Sequence, residues 1–238
     1  YAKDMNIYGD YGNILALKKQ MELRGISFEI IEYNPGDVFP EDVDIVIGGG
    51  GQDSGQGQIQ DDLLKIAPKL RKLASNDVPM LVVCGLYQLF GNSFETASGE
   101  KIKGIGIFRG VKTIGGSQRM IGNIVEDSDQ FGEIIGYENH SGKTYLSEHV
   151  KPLAEVKIGA GNLPDGEFEG ACYKNVIGTY LHGSLLPKNP EISLFLIEQA
   201  LKNRDYDMPK ILYGNIRKAN VLKRITNNAR EIAKKCPR

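Results

Sequence analysis

The chain has 238 residues, 41% of them apolar and 25% charged, with a net charge of −1. That balance excludes a disordered chain and predicts no general affinity for nucleic acid. No apolar run approaches the ~20 residues that span a bilayer, so no membrane insertion is expected.

The opening "YAKDMNIYGDYGN" shows no basic-then-apolar leader, which argues against a signal peptide. Within it "MNIY" reads as a short strand, after which Gly9 and Gly12 turn the chain. "NILALKKQMELRG" places Ile14, Leu17 and Met21 on one helical face and stops at Gly25. "SFEIIEY" reads as a strand, "NPGDVFPE" as a loop, and "VDIVI" as a strand buried on both faces. The glycine run Gly48 to Gly51 follows. "IQDDLLKIAPKLRKLAS" is helical, with Pro68 as a kink or a new start, and "VPMLVV" is a further apolar strand. Strands alternating with helices predict an α/β domain with a mostly parallel sheet.

After about Asn92 the texture turns to short β-like runs: "GIGIF", "GVKTI", "IGNIV", "EIIGYE", "LAEVKIG", "GACYKN" and "VIGTYL". Helix returns at Pro190, with Asn189 as its cap. From Asp205 onward nine Lys/Arg face three Asp/Glu, a local charge of +6. There Leu212, Ile216, Ala219, Leu222, Ile225, Ala229 and Ile232 keep helical spacing. This basic extension reads as a terminal helix packed on its own domain, with a docking helix for an acidic partner as the sharper alternative.

Three cysteines, Cys84, Cys172 and Cys236, stand at no metal-ligand spacing. They predict neither a zinc site nor a disulfide framework, and they fit a reducing, cytoplasmic compartment. Cys84 closes the apolar run "MLVV", with Gly85 next and a short helix after it. Sheets of this class carry their chemistry at the carboxyl ends of strands, and a tight strand-to-helix turn presents a nucleophile there. A buried cysteine acting as a small hydrophobe reads equally well from this stretch alone. The glycine loop fits neither a Walker A motif nor GxGxxG, yet its N–H groups can face a developing negative charge. His182, at the end of another apolar strand, is the base that a thiol nucleophile needs, and parallel strand ends would bring it to the rim that carries Cys84.

Together these blocks resemble class I, triad-type glutamine amidotransferases of the cobyric-acid-synthase-like branch. Within that branch they resemble the glutaminase subunits of lipid II isoglutaminyl synthase. The resemblance rests on "GGGGQDSGQ" (48–56), "CGLYQLFG" (84–91), "QRMIGNIV" (118–125), "GYENHSGKTY" (136–145) and "GTYLHGSLLPKNPE" (178–191). It implies a flavodoxin-like three-layer α/β fold, with a mostly parallel central sheet and additional strands in the second half. The amidotransferase domain would span 1–204 and a basic amphipathic helical extension 205–238. Cys84 would attack the amide of L-glutamine and His182 would pass its proton to the departing ammonia. N–H groups of Gly50 and Gly85 would hold the oxyanion, Arg119 the α-carboxylate, and Gln88, Asn139 and His140 would line the pocket.

Two positions depart from the class pattern. Leu86 stands where a glycine is usual, and Ser184 where the class carries the orienting glutamate. His182 is therefore expected to be oriented by another group, of which one supplied by a partner subunit is the candidate. The chain shows no ATP-binding motif and needs no cofactor or metal of its own. It is expected to feed ammonia, as a heterodimer, to a Mur-ligase-like (MurT-type) subunit that holds ATP and Mg. The acceptor would be the D-glutamate carboxylate of the lipid II stem peptide. A corrinoid acceptor and a catalytically silent scaffold are the alternatives.

Overall fold

The computed structural model describes residues 1–51, 53–206 and 216–236. The first half builds helix α1 (Tyr11–Leu23), strand β1 (Val46–Gly48), helix α2 (Asp53–Ser75), strand β2 (Met80–Val83) and helix α3 (Gly85–Phe90). Pro68 lies inside α2 without ending it. The second half supplies β3 (Ser93–Glu95), β4 (Lys101–Lys103), β5 (Lys112–Ile114), β6 (Met120–Ser128), β7 (Gly132–His140) and β8 (Lys143–Tyr145). It continues with β9 (Ala154–Ile158), β10 (Phe168–Glu169), β11 (Ala171–Tyr173), β12 (Val176–Thr179) and β13 (Leu181–His182). Helices α4 (Leu185–Lys188), α5 (Pro190–Asn203) and α6 (Ile216–Lys235) close the chain.

The central sheet has the order β1-β2-β12-β11, the first three parallel and β11 antiparallel. Every residue of β2 and of β12 is buried, which is why both read as unbroken apolar runs. Ile59, Leu63 and Leu70 of α2 join Leu81, Val83 and Leu86 in one apolar core. A five-stranded antiparallel sheet, β10-β9-β6-β7-β13, and a four-stranded sheet, β4-β3-β5-β8, make up the second half. The α/β fold with added strands is thus the one expected.

Three expected strands are not strands. Ile7–Gly9 of the "MNIY" stretch forms a 3-10 turn, because the Ile7 N–H donates to Gly50 O and the chain crosses the glycine loop instead of joining a ladder. "SFEIIEY" joins no ladder, with Ile30 and Ile31 exposed. A groove of about 150 Å³ lies between it and β1, so it has no neighbour to pair with. "GIGIF" is irregular because its N–H groups bond the end of α3, Ile105 to Leu89 O and Phe108 to Phe90 O.

The helix ends also differ in detail. Pro190 opens α5 as expected, but the Asn189 side chain does not cap it. Asn189 accepts from Ile135 N and donates to Ile135 O and Leu185 O, which staples the α4–α5 corner to β7. Helix α6 is held by polar anchors: Arg230 donates to Lys188 O and pairs with Glu133, and Lys234 pairs with Glu133. Ile225 and Ile232, expected inward, are exposed, so the packed face is narrower than its spacing suggests. Leu212 lies outside the described residues.

Three glutamates, Glu126 of β6, Glu138 of β7 and Glu169 of β10, are fully buried. Glu138 accepts from the N–H groups of Ala160 and Gly161; Glu169 accepts from Thr179 Oγ1 and Tyr180 N, two residues before His182. Glu126 has no partner. Burial, then the nearby Glu169 and Glu138 charges, push its carboxyl pKa well up, so it folds protonated. Such a group stabilises the native state most below its unfolded pKa, and the contribution fades as the pH rises toward the folded value. Glu126→Gln removes that loss. Its stability relative to the native chain should therefore improve as the pH rises. In melts at pH 5 and pH 8 the melting-temperature difference, variant minus native, should be larger at the higher pH.

Candidate active site

The end of β2 turns into α3 through Cys84, whose backbone sits at φ 49° and ψ −105°. Positive φ is uncommon outside glycine and here it aims the side chain off the strand end. The turn is pinned on both sides: Cys84 N donates to Thr179 O at 2.8 Å, and Gln88 N to Cys84 O at 3.0 Å. Leu86 fits the tight turn because Gly48 makes room for it; a Cβ on Gly48 would come 2.5 Å from Leu86 Cδ1.

His182 reaches the thiol by a different route from the one expected. It does not end the parallel strand. The chain leaves β12 at Thr179, passes Tyr180 and joins the antiparallel sheet as β13, where His182 lies opposite Tyr137. Gly50 shows how close the two groups come. A Cβ there would be 2.6 Å from His182 Cε1 and 2.9 Å from Cys84 Cβ, so only glycine fits between them.

The acid that orients His182 comes from this chain, not from a partner. Both carboxylate oxygens of Asp10 lie 3.1 Å from His182 Nδ1. Asp10 is 2% exposed and His182 is 0% exposed. With Nδ1–H donating to Asp10, Nε2 is the nitrogen left to serve the thiol, and it has no other partner. Burial works to lower the His182 pKa, but the facing Cys84 and the Asp10 carboxylate outweigh it and raise it to about 10. The pair's contribution to stability is therefore full below the ordinary value of 6.5 and is lost as the pH rises through about 10.

Asp10 is carried on a turn built for this contact. Gly9, at φ 78°, follows Tyr8, at φ 55°. The Tyr8 ring stands edge-on to the imidazole, centroids 5.0 Å apart. Ser184, where the class carries its acid, donates instead to Gly9 O at 2.8 Å, and so ties the Asp10 turn to the His182 turn.

The expected oxyanion donors need one correction. Gly50 N donates to Asp10 Oδ2 at 2.7 Å, so that N–H is already engaged. The next loop amide, Gly51 N, lies 3.1 Å from where a Gly85 Cβ would stand. Gly85 opens α3, and its N–H is among the first-turn donors that lack an intrahelical acceptor. Gly51 N and Gly85 N are therefore candidate oxyanion donors beside the elbow.

Of the remaining expected residues, Gln88 and His140 meet at Tyr180, and Arg119 and Asn139 pair apart from it. Gln88 Nε2 donates to its hydroxyl at 3.2 Å, and the His140 ring stacks on it at 3.6 Å between centroids. His140 Nδ1 donates to Gly142 O; burial pushes its pKa down and keeps the ring neutral. Arg119 donates to the side chain and backbone oxygens of Asn139 at the exposed edge of β7. Sequence reading missed Asp10 and Tyr180. The available signal for Asp10 was an acid next to the turn glycine Gly9; Gly12, expected to turn the chain, lies instead in the first turn of α1. Among the described residues no group of His, Cys, Asp and Glu is placed to hold a metal ion. The arrangement suits acyl transfer: a thiol, a base oriented by a buried carboxylate, and backbone N–H groups for an oxyanion.

The chain belongs to the CobB/CobQ-like glutamine amidotransferase domain family, whose sequence model matches residues 1–190. It is 40% identical over 202 residues to the lipid II isoglutaminyl synthase (glutamine-hydrolyzing) subunit GatD of Staphylococcus aureus strain N315, covering 84% of this chain and 82% of that one. It is 39% identical over 206 residues to the same-named subunit of Streptococcus pneumoniae strain ATCC BAA-255 / R6, with coverage of 86% and 79%. A probable cobyric acid synthase of Methanosphaera stadtmanae is 34% identical over 128 residues, 48% of this chain and 25% of that one. Among solved structures, a glutamine amidotransferase superposes with a TM-score of 0.55 at 15% identity, covering 78% of this chain and 93% of that one. A second, from Thermotoga maritima, gives 0.51 at 13% identity and 92% coverage of each. These two likenesses establish the fold of a glutamine amidotransferase.

Asp10 serves two donors, His182 Nδ1–H and Gly50 N–H, and an asparagine has only one oxygen to offer them. Asp10→Asn should lower kcat for glutamine hydrolysis on the order of 10²- to 10⁴-fold and leave KM nearly unchanged. Steady-state glutamate release measures both.

Proposed function

We propose that this chain is the glutaminase subunit of a lipid II isoglutaminyl synthase. The observation that carries the chemistry is the Cys84–His182–Asp10 constellation at the strand ends. Cys84 Sγ gives up its proton to His182 Nε2 and attacks the side-chain carbonyl carbon of glutamine. The oxyanion is held by the N–H groups of Gly85 and Gly51. His182, protonated and braced by Asp10, gives its proton to the nitrogen as the C–N bond breaks, and ammonia leaves. A water then attacks the thioester while His182 takes up its proton; glutamate departs and the thiol is restored. Arg119 holds the substrate α-carboxylate at the exposed rim, and Gln88, Asn139 and His140 shape the pocket.

The acceptor follows from the relatives. The subunits named for lipid II share most of their length with this chain, whereas the cobyric acid synthase shares a quarter of its own. That contrast supports a free-standing glutaminase subunit working with a separate ligase. Ammonia then passes to a Mur-ligase-like partner, which uses ATP and Mg to activate the D-glutamate carboxylate of the lipid II stem peptide. No described helix is long and apolar enough to cross a membrane.

Because the orienting acid is in the chain itself, the isolated protein should hydrolyse glutamine without its partner. Cys84→Ala should abolish glutamate release, alone and with a Mur-ligase-like subunit supplied with ATP. Release that survives this substitution contradicts the mechanism.

A further inference from the structure

Gln56, in the first turns of α2, is fully buried against the elbow. Its Nε2 donates to Gly85 O at 2.9 Å and to Gln88 Oε1 at 2.6 Å. A backbone carbonyl can only accept, so the orientation of the Gln56 amide is decided by Gly85. The consequence passes along a chain of side chains. With its oxygen turned to Gln56, Gln88 must turn its nitrogen to the Tyr180 hydroxyl. Tyr180 accepts there and so donates to Thr144 Oγ1 at 2.6 Å, which in turn meets Thr113 Oγ1 at 2.7 Å. The Gln88 amide is boxed in, since a Cβ on Gly142 would stand 2.4 Å from its Nε2 and 3.0 Å from the Tyr180 hydroxyl. Among the described residues Gln56 Oε1 has no hydrogen-bond partner, so the side chain holds this arrangement through its nitrogen alone.

We propose that Gln56 is a positioning residue for substrate recognition: it fixes the Gln88 amide so that its nitrogen, with one N–H to spare, is offered to the acceptor oxygens of glutamine. The inference rests on the glutaminase reading, in which Gln88 lines the pocket. Gln56 touches neither the imidazole nor the thiol in this scheme. Its effect is on which end of a neighbouring amide the substrate meets. A carboxylate at position 56 can only accept, so Gln56→Glu turns the Gln88 nitrogen toward residue 56 and its oxygen toward Tyr180. Gln56→Leu removes the hold altogether.

Two alkylators separate this role from a general loosening of the elbow. Iodoacetamide reports on Cys84 alone; the glutamine-analogue alkylator diazo-oxonorleucine must first be recognised as glutamine. Rates of Cys84 modification are followed by mass spectrometry in the full chain, with a thermal melt to confirm folding of each variant. In both Gln56→Glu and Gln56→Leu the analogue should react about tenfold more slowly, the loss of roughly one hydrogen bond, with iodoacetamide unchanged within about twofold. Equal slowing with both reagents would show that Gln56 merely supports the thiol and would overturn the proposal, as would no slowing with either. Failure of the analogue to label Cys84 in the native chain is a separate result, which removes the glutaminase reading itself.

Discussion

The structure depends on a buried ion pair between two segments from opposite ends of the sequence. Asp10 and His182 are both withdrawn from water, and a lone charge in either place would be costly. Each is tolerable because the other is there, and because the remaining oxygen capacity of Asp10 is taken by Gly50 N–H. That contact brings the amino-terminal turn, the glycine loop and the β13 end to one point. Cys84 arrives there on β2, and the absence of a side chain at Gly50 lets the imidazole and the thiol stand on either side of one backbone.

The departures from the class pattern become intelligible in these terms. A leucine at the second position after the nucleophile needs space, and Gly48 on the neighbouring strand supplies it. A serine two residues after the histidine cannot orient an imidazole by charge. It holds the carbonyl of Gly9, and at Gly12, in the first turn of α1, a Cβ would come 2.0 Å from its hydroxyl, so a side chain there would displace it. The acid that faces the imidazole here is Asp10, far from the histidine in sequence and in contact with its Nδ1.

What could be read from the sequence was whatever lies in a fully buried strand or at its end. "MLVV" and "VIGT" are apolar on both faces, which located β2 and β12 and drew attention to Cys84 and His182. The parts that escaped depend on what a segment meets. "MNIY" has strand composition, but its Ile7 N–H is committed to the glycine loop, and that commitment concealed Asp10. "SFEIIEY" has the right residues for a strand and no partner beside it. The spacing of the last helix identified an amphipathic element, yet Arg230 and Lys234, not its isoleucines, make its attachment. Gly50 does carry a backbone amide near the nucleophile, but its N–H is taken by Asp10, a contact that no local sequence pattern announces.

The most direct test follows the imidazole itself. An NMR titration of the isolated chain observes three histidines, His140, His149 and His182. The account predicts that one of them holds its proton up to about pH 10 and that the same resonance titrates lower in Asp10→Asn and in Cys84→Ser. If no histidine remains charged above the ordinary range near 6.5, the carboxylate and the sulfur do not act on that ring, and the proposed catalytic centre is contradicted.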